Sequence, residues 1–194
     1  MLIRADFNVP LIRQEWQEWQ RALQLMEDMQ AEGIPADTIT YGAAISACEK
    51  GRQWQQALQL MEDMQAKGIP ATTITYNAAI SAYDKGRQWQ WALQLMEDMQ
   101  AKGIPANTIT YGAAISACEK GWQWQQVMQL LEEVQAKGIP ANTITYNAAI
   151  SAYEKGRQWQ RALQLMKDMQ AKGIPANTIT YNAAISVCEK GRQW

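Results

Sequence analysis

The side chains that most often carry out catalysis are scarce in this sequence. Its 194 residues contain no histidine, which removes the commonest general base and the commonest metal ligand. It also has no Cys-x-x-Cys pair, no nucleophile elbow and no glycine-rich phosphate loop. We therefore expect no enzymatic activity, no cofactor and no bound metal, so that the chemistry of this chain is recognition.

Tryptophan is the regularly spaced side chain that could stack on nucleic-acid bases. Tryptophans recur every 35 residues, among them Trp54, Trp89, Trp124 and Trp159. The spacing of Trp54 to Leu58 and Met61 places it on the packed face of a helix, which favours a role in the core. Trp91 and Trp122 stand where Gln or Arg is usual, and if exposed they would mark a protein-contact surface.

The interval of 35 residues runs through the whole chain. The segment GIPANTITYNAAISAYEKGRQWQRALQLMKDMQAK recurs with small changes and without insertions. One tyrosine marks the register: Tyr41, Tyr76, Tyr111, Tyr146 and Tyr181. Repetition at this period is typical of an array of identical supersecondary units.

Each repeat reads as two amphipathic helices. In the repeat that begins at Thr38, apolar residues recur at three- and four-residue spacing up to Gly51, and a second periodic run follows from Trp54. Gly68 should end that second helix, and Pro70 prevents it from resuming. Because one pair cannot bury its own apolar faces, stacked pairs should form an all-α, right-handed α-solenoid, or superhelix, of helix-turn-helix repeats.

The repeat register predicts four segments. Residues 1–18 are a non-repeat segment and residues 19–37 a partial repeat that holds a second helix. Residues 38–177 are four complete repeats, and residues 178–194 a truncated one. Because no polar capping helix is visible at the C-terminal end, we expect a fragment of a longer array or a protein partner there.

Composition limits the choice of partner and compartment. The formal net charge of −1 gives no global field that would attract a polyanion. No apolar run reaches the length of about 18 residues that a membrane span needs. Cys48, Cys118 and Cys188 occupy one position of alternate repeats, too far apart for disulfides, and we expect them to be buried thiols in a reducing compartment.

A 35-residue helix pair that reads Thr-Tyr-Asn near its start, Ala-Leu-x-Leu-Met in its second helix and Met-Gln-Ala-Lys-Gly-Ile-Pro at its end resembles the pentatricopeptide repeat. The resemblance covers about residues 19–194. It implies an organellar protein that binds single-stranded RNA and reads about one base per repeat, through the fifth residue of one repeat and its last residue.

The resemblance implies a set of base-reading candidates. The fifth positions are Gly42, Asn77, Gly112, Asn147 and Asn182, and the last positions are Asp37, Thr72, Asn107, Asn142 and Asn177. Pairs of asparagines resemble the family's pyrimidine-selecting pairs, because a carboxamide both donates and accepts hydrogen bonds. Because the glycines offer no side chain, they should contribute little to base recognition. Asp, Asn and Thr are also preferred helix N-caps, so that capping alone could explain the last positions.

Two further sets follow from the resemblance. The second positions are similar to the family's base wedge, although helix core is an equal alternative: Ile39, Ile74, Ile109, Ile144 and Ile179. Lysines near the end of each first helix match residues that can approach phosphates: Lys50, Lys85, Lys120, Lys155 and Lys190. Each lysine directly follows an acidic residue, which should offset its charge.

The first residues do not belong to the repeat. Residues 2–11 resemble the N-terminal signature of phosphoglycerate kinase, with Asp6 and Asn8 at its substrate-contacting positions. Nothing else in the sequence resembles that enzyme, so we treat the segment as a fusion remnant. It is also unlike a transit peptide, because its first fifteen residues hold no serine and include Asp6 and Glu15.

Two functions remain open at this point. The first is a short pentatricopeptide module that binds single-stranded RNA with low specificity, in a chloroplast or mitochondrion. The alternative is a protein scaffold, packed in a larger assembly by a partner that covers the C-terminal end. Neither hypothesis requires a small-molecule substrate.

Overall fold

A computed structural model describes the backbone of residues 9–190 and the side chains of residues 18–189. This part of the chain forms ten α-helices and no strand. The helices divide between two compact units, Met1–Gly86 and Arg87–Trp194. In each repeat, we call the helix that comes first in the sequence the first helix. The helix that follows it is the second helix.

The first unit holds two second helices, α1 and α3, and two first helices, α2 and α4. The bounds are α1 Val9–Ala31, α2 Thr38–Lys50, α3 Trp54–Ala66 and α4 Thr73–Lys85. Helix α2 packs against α1, α3 and α4, and α3 packs against α4. A second helix therefore contacts the first helix of the next repeat as well as that of its own.

The second unit repeats this pattern over six helices. The bounds are α5 Trp89–Ala101, α6 Thr108–Lys120, α7 Trp124–Ala136, α8 Thr143–Lys155, α9 Trp159–Ala171 and α10 Thr178–Lys190. The first helices α6, α8 and α10 stack directly on one another. Among the described residues of each unit, neighbouring second helices have no Cα atoms within 8 Å of each other, so the first helices form the tighter row.

Second helices end at a glycine in the left-handed conformation, as the sequence predicts. Gly68 has φ 66°, and its backbone nitrogen donates to the Gln65 carbonyl at 3.0 Å. The next nitrogen, of Ile69, donates to the Met64 carbonyl at 3.0 Å. These two bonds satisfy carbonyls that the helix end would otherwise leave unpaired, and a side chain at Gly68 would strain the backbone.

The glycine after each first helix has a different role. Gly51 has φ −74°, and the left-handed residue of this turn is Arg52, with φ 57°. A Cβ atom on Gly51 would lie 2.4 Å from Cδ1 of Trp19, so the glycine leaves room for the indole ring. Gly86 makes the same contact with Trp54 in the first unit.

The second unit contains two further copies of this indole contact. A Cβ atom on Gly121 would lie 2.2 Å from Cδ1 of Trp89, and one on Gly156 would lie 2.4 Å from Cδ1 of Trp124. In every copy, the tryptophan of a second helix lies on the turn of the following repeat. An indole ring of one repeat therefore packs on the turn of the next and helps to position it.

The core follows the predicted periodicity. The marker tyrosines of the four complete repeats and the isoleucines four residues later are at most 1% exposed. Cys48 and Cys118 are buried, and burial raises the pKa of their thiols to about 11 and about 12 respectively. The expectation of burial is wrong for Cys188, which is exposed because no second helix of its own repeat is present among the described residues.

None of the helices in the described part of the chain is long and apolar enough to cross a membrane.

Two glycine substitutions should have opposite effects on stability. In Gly86→Ala, the new methyl group would meet the Trp54 ring at 2.4 Å, and overpacking of this kind costs about 1 to 3 kcal/mol of unfolding free energy. In Gly42→Ala, the nearest atom is Thr75 Oγ1 at 3.8 Å, and alanine inside a helix should stabilise by about 0.5 to 1 kcal/mol. Denaturant unfolding measures both effects, and a shift of both variants in the same direction would contradict the assigned indole contact.

Candidate functional site

The N-terminal ends of the first helices carry the residues that the sequence predicts for base reading. We call this surface the recognition row, and define it by the last-position residue before each first helix, the isoleucine at the second position and the residue at the fifth. The two units are described separately, with two members of the row in the first and three in the second.

Each last-position residue caps the first helix that follows it. Asp37 accepts hydrogen bonds from the backbone nitrogens of Ile39 and Thr40, at 3.0 and 2.9 Å. These bonds, above all that from Thr40, hold the pKa of the Asp37 carboxyl below its ordinary value. The other four caps accept from the third helical nitrogen at 3.0 to 3.4 Å: Thr72, Asn107, Asn142 and Asn177.

Capping does not hide these side chains. All five last-position residues are exposed, because only one oxygen of each need face the helix. In an asparagine cap, the bonded atom must be the oxygen, since a backbone nitrogen can only donate. The cap therefore fixes the orientation of the amide, and the side chain of Asn177 accepts hydrogen bonds from Asn147, from the Thr180 nitrogen and from the Thr180 hydroxyl through its Oδ1.

The isoleucines of the recognition row lie outside the core. Their exposed fractions run from 61 to 79%: Ile39, Ile74, Ile109, Ile144 and Ile179. The alternative that these residues form helix core is therefore excluded. Large aliphatic side chains are among the residues most often buried, so a repeated row of exposed ones indicates a contact surface.

Asn147 differs from the other fifth-position residues because its carboxamide is buried, with 8% exposure. Its Nδ2 donates to Oδ1 of Asn177 at 3.1 Å, and its Oδ1 accepts from the hydroxyl of Thr180 at 2.5 Å. The two residues that the sequence pairs as one reading unit are thus hydrogen-bonded to each other. Asn177 lies at the exposed edge of this pair and Asn147 behind it.

The remaining fifth-position residues lie on the same part of their helices. Asn77 is partly exposed on α4, and Asn182 is exposed on α10. Gly42 faces Thr75, and Gly112 faces Thr145, with ideal Cβ positions 3.8 and 3.7 Å from the threonine hydroxyls. At both glycines, the space that Asn147 fills in its own repeat is open beside the equivalent threonine.

A hydrogen bond between the two ends of a repeat helps to fix the spacing along the recognition row. The Thr38 hydroxyl donates to the carbonyl of Pro70 at 2.9 Å in the first unit. In the second unit, Thr108 bonds Pro140 at 2.8 Å and Thr143 bonds Pro175 at 3.0 Å. Each bond ties the start of one first helix to the loop that precedes the next.

The phosphate candidates lie at the opposite end of the first helices. Lys85 forms an ion pair with Glu49 at 2.5 Å in the first unit, and Lys155 forms one with Glu119 at 2.5 Å in the second. Each acid thus pairs with the lysine of the next repeat and not with the lysine that follows it in sequence. Lys50 is exposed and Lys120 partly exposed.

The two tryptophans that depart from the consensus are both exposed. Trp91 lies in the first turn of α5, and Trp122 is the left-handed residue of the turn after α6, with φ 62°. The Lys155 ammonium lies 5.3 Å from the centre of the Trp122 ring. Of the four regularly spaced tryptophans, Trp159 is exposed and the others are partly buried against their glycines, which agrees with a packing role.

Two predictions fall outside the described residues. The kinase-like segment is one, since nothing is described of residues 1–8 or of the side chains of residues 9–17. The side chain of Lys190 is the other. The helix that contains the partial repeat begins at Val9, ahead of the repeat register at residue 19.

Sequence reasoning missed the threonine at the third helical position. It is buried in four repeats: Thr75, Thr110, Thr145 and Thr180. Thr180 bonds both members of the pair Asn147 and Asn177, and so supports the recognition row from below. The presence of threonine at this position of every repeat was the sequence signal that could have revealed its role.

A second missed feature ties the two helices of a repeat together. The Tyr111 hydroxyl donates to Glu133 at 2.9 Å, and Lys137 donates to that hydroxyl at 2.8 Å. Tyr41, Asp63 and Lys67 form the same cluster in the first unit. Burial raises the pKa of both tyrosines, so they remain neutral donors at physiological pH.

Comparison with known families decides the family of this chain. A profile described as the PPR repeat family matches residues 71–120 and 141–190, more than half of the sequence. This chain belongs to the pentatricopeptide-repeat family. Two further profiles of the family, described as pentatricopeptide repeat domain and PPR repeat, match residues 24–86 and 109–139. No curated protein sequence matches the chain.

Solved structures of pentatricopeptide-repeat proteins share this fold. PPR10 in complex with an 18-nt psaJ RNA element has a TM-score of 0.75 at 23% identity, over 92% of this chain and 26% of that one. PPR10 from maize has a TM-score of 0.65 at 26% identity, over 90% and 25%. The chain thus spans about a quarter of the length of these proteins.

A shorter structure matches over its full extent. The PPR domain of Arabidopsis thaliana protein-only RNase P 1, in complex with tRNA, has a TM-score of 0.78 at 10% identity, over 93% of this chain and 98% of that one. The predicted fold class, an all-α solenoid of pentatricopeptide helix pairs, is confirmed by these likenesses.

Two substitutions at Asn142 separate capping from other roles. Asn142→Ala removes the acceptor for the Thr145 nitrogen and should cost about 1 kcal/mol of unfolding free energy. Asn142→Asp keeps an acceptor oxygen and should remain within about 0.5 kcal/mol of the parent chain. Chemical unfolding of the two variants checks this, and equal destabilisation by both would show that the cap is not the stabilising contact.

Proposed function

We propose that this chain is a binding scaffold that holds single-stranded RNA along its recognition row. The observation that carries the proposal is the set of five isoleucines exposed by 61 to 79% at one position of consecutive repeats. RNA bases in single strands present apolar faces that can pack against such side chains. The resemblance to the RNA-bound PPR10 structure supports the same choice of ligand.

The isoleucines would act as wedges between successive bases. Each one is already fixed on the first turn of a capped helix, so little backbone freedom remains to be lost on binding. Covering an exposed aliphatic side chain contributes about 25 cal/mol for each Å² of apolar surface removed from water. This contribution is independent of base identity and gives affinity without specificity.

Specificity would come from the asparagine pair Asn147 and Asn177. Because Oδ1 of Asn177 accepts from the Thr180 backbone, its amide NH2 group is left to donate outward. Both pyrimidines present a carbonyl oxygen, O2, that can accept such a bond. Gly42 and Gly112 contribute no side chain, so the recognised sequence would be short and loosely specified.

Phosphate contacts would be few. The net charge is −1, and the ion pairs of Lys85 and Lys155 with acids of the preceding repeat offset their charges. Each neutralised phosphate on a single strand contributes a slope of about −0.7 in a plot of log affinity against log salt. We expect a shallow but measurable salt dependence, with moderate affinity.

A protein scaffold is the second candidate, and the exposed Trp122 favours it. Its indole ring lies outside the recognition row, beside the Lys155 ammonium. Aromatic side chains are enriched at protein interfaces. A partner protein could therefore bind this turn while RNA occupies the recognition row.

Family membership also bears on activity and compartment. We propose a non-catalytic role, because the described recognition row holds amides, a hydroxyl, aliphatic groups and one carboxylate, that of Asp37, which is engaged in capping α2. We further propose an organellar location, chloroplast or mitochondrion, which the family supports. The unpaired thiols of Cys48, Cys118 and Cys188 agree with a reducing compartment.

The test is to install a reading pair where glycine now stands. In Gly112→Asn, the new carboxamide can bond Thr145 and Asn142 as Asn147 bonds Thr180 and Asn177. By holding the Asn142 carboxamide in place, as Asn147 holds Asn177, the new residue should strengthen the hydrogen bond from Asn142 to a pyrimidine. A gain of about 1 kcal/mol would tighten binding to cytosine- or uracil-rich RNA about fivefold. Adenine-rich RNA should gain less.

The matched control is Gly112→Ala, which adds a methyl group without hydrogen-bonding capacity. Fluorescence anisotropy with labelled single-stranded RNA at several salt concentrations measures both variants. The proposal fails if the parent chain binds no RNA at low salt, or if the asparagine and alanine variants bind pyrimidine-rich RNA equally.

A further inference from the structure

The turn after each first helix holds a large side chain in a backbone conformation that large residues rarely adopt. Its left-handed residue is Arg52 in the first unit, and Arg87, Trp122 and Arg157 in the second, with φ between 55 and 62°. Glycine and asparagine adopt this conformation more readily, and a bulky residue there costs conformational energy. Because strained positions cluster at functional sites, these residues are candidates for contact with a ligand.

Packing does not account for the tryptophan in the turn after α6. The Trp122 nitrogen donates to the Glu119 carbonyl at 3.1 Å, a bond that glycine would make equally well. The close contact of this turn belongs to Gly121, on which the Trp89 ring lies. The Trp122 indole is 66% exposed, so it contributes little to the core. Its aromatic surface is therefore accessible to an external ligand.

Cations border the Trp122 ring. The Lys155 ammonium of the next repeat lies 5.3 Å from the ring centre and also pairs with Glu119 at 2.5 Å. Arg157 follows two residues after Lys155, is exposed, and forms no ion pair within the described part of the chain. The same holds for Arg87, one repeat before Trp122. The second unit thus presents two guanidinium groups, without a neutralising acid, at the positions that correspond to Trp122.

The exposed acids of the second helices lie away from these turns. Helix α7 begins at Trp124 beside the turn, and its exposed Glu132 lies about 12 Å further along the axis. Glu97 has the equivalent place on α5. Glu154, near the end of α8, accepts from the Ser186 hydroxyl at 2.7 Å. Although the net charge of the chain is −1, the turns of the second unit therefore carry a local excess of positive charge.

An aromatic ring between cations suits a ligand that combines planar rings with negative charge. Proteins that bind single-stranded nucleic acid use this combination, with bases stacked on aromatic side chains and phosphates close to cations. An aromatic residue that anchors a protein partner is usually enclosed by further contacts that exclude water. Because Trp122 stands on an exposed turn with charged neighbours, the arrangement favours single-stranded RNA.

We propose that Trp122 stacks on a base of single-stranded RNA, and that Arg87 and Arg157 contact phosphates on either side of that base. We call these three residues the turn row. The inference rests on the proposed function, because it gives the same RNA a second place of contact. A first helix of 13 residues separates the turn row from the recognition row by about 20 Å. The base on Trp122 therefore belongs to a part of the strand that has left the recognition row.

The turn row would add affinity without adding specificity. Every base has an aromatic face, so stacking on Trp122 tolerates any sequence. Because the second unit carries members of both rows, a strand that reaches both gains affinity as a bivalent ligand does. A longer RNA should therefore bind more tightly than one that covers the recognition row alone.

The test measures the affinity of the full chain for a pyrimidine-rich RNA that is long enough to reach both rows. Trp122→Ala removes the stacking surface and should weaken binding about tenfold at constant salt. Trp122→Phe keeps an aromatic face and should recover most of that loss. Because the ring is largely exposed, neither variant should lower the midpoint of denaturant unfolding. A Trp122→Ala chain that binds this RNA as tightly as the parent would overturn the proposal.

Trp91→Ala is the matched control, because it removes an exposed tryptophan of the same unit that lies outside the turn row. Its affinity should equal that of the parent chain, and equal losses in the two alanine variants would contradict a specific role for Trp122. Trp122→Arg installs the residue found at 87 and 157. Its plot of log affinity against log salt should steepen by about 0.7 through one added phosphate contact, and an unchanged slope would contradict phosphate binding at the turn row.

Ile144→Ala separates this proposal from the proposed function. It alters the recognition row and should weaken binding of short and long RNA, whereas Trp122→Ala should weaken binding of the long RNA only. If Ile144→Ala alone weakens binding, the turn row is wrong, the recognition row stands, and Trp122 is left for a protein partner. If Trp122→Ala alone weakens binding, the recognition row is wrong. A parent chain that binds no RNA overturns both proposals.

Discussion

The contact on which the arrangement of repeats depends is that of an indole ring on the glycine of the next turn. A Cβ atom on any of the four glycines would approach Trp Cδ1 to 2.4 Å or less, so the position admits no other residue without displacement of the ring. The glycine follows a first helix, and the tryptophan belongs to the second helix of the preceding repeat. Within each unit, the contact therefore joins the second helix of one repeat to the turn of the next.

Two surfaces follow from this register. Where the first helices begin, caps and isoleucines recur at one spacing, and threonine-to-proline bonds hold that spacing. Along the faces that stack, Tyr41 and Tyr111 are buried and bonded to an acid of the second helix in their own repeat. The first surface supports recognition of a repeating polymer, and the second holds consecutive helices together.

The sequence predicts the fold well because one repeat contains nearly all the information. The 35-residue period, the apolar spacing around Tyr41 and the break at Gly68 define both helices and their stacked faces. The exposure of Ile39 could not be predicted, since a helix of this composition can bury either side. The hydrogen bond between Asn147 and Asn177 was also out of reach, because it joins residues near opposite ends of a repeat that are 30 positions apart in the sequence. Cys188 was expected in the core because the repeat pattern implies a neighbouring helix on both sides of each first helix.

The most direct test of the account uses the isoleucine side chains as reporters of the RNA path. Isoleucine methyl groups can be labelled and followed by NMR during titration with pyrimidine-rich single-stranded RNA. The account predicts shifts at the recognition row, as at Ile109, Ile144 and Ile179, and little change at the buried Ile115 and Ile150. Shifts confined to residues outside the row, or no shifts at saturating RNA, would contradict it.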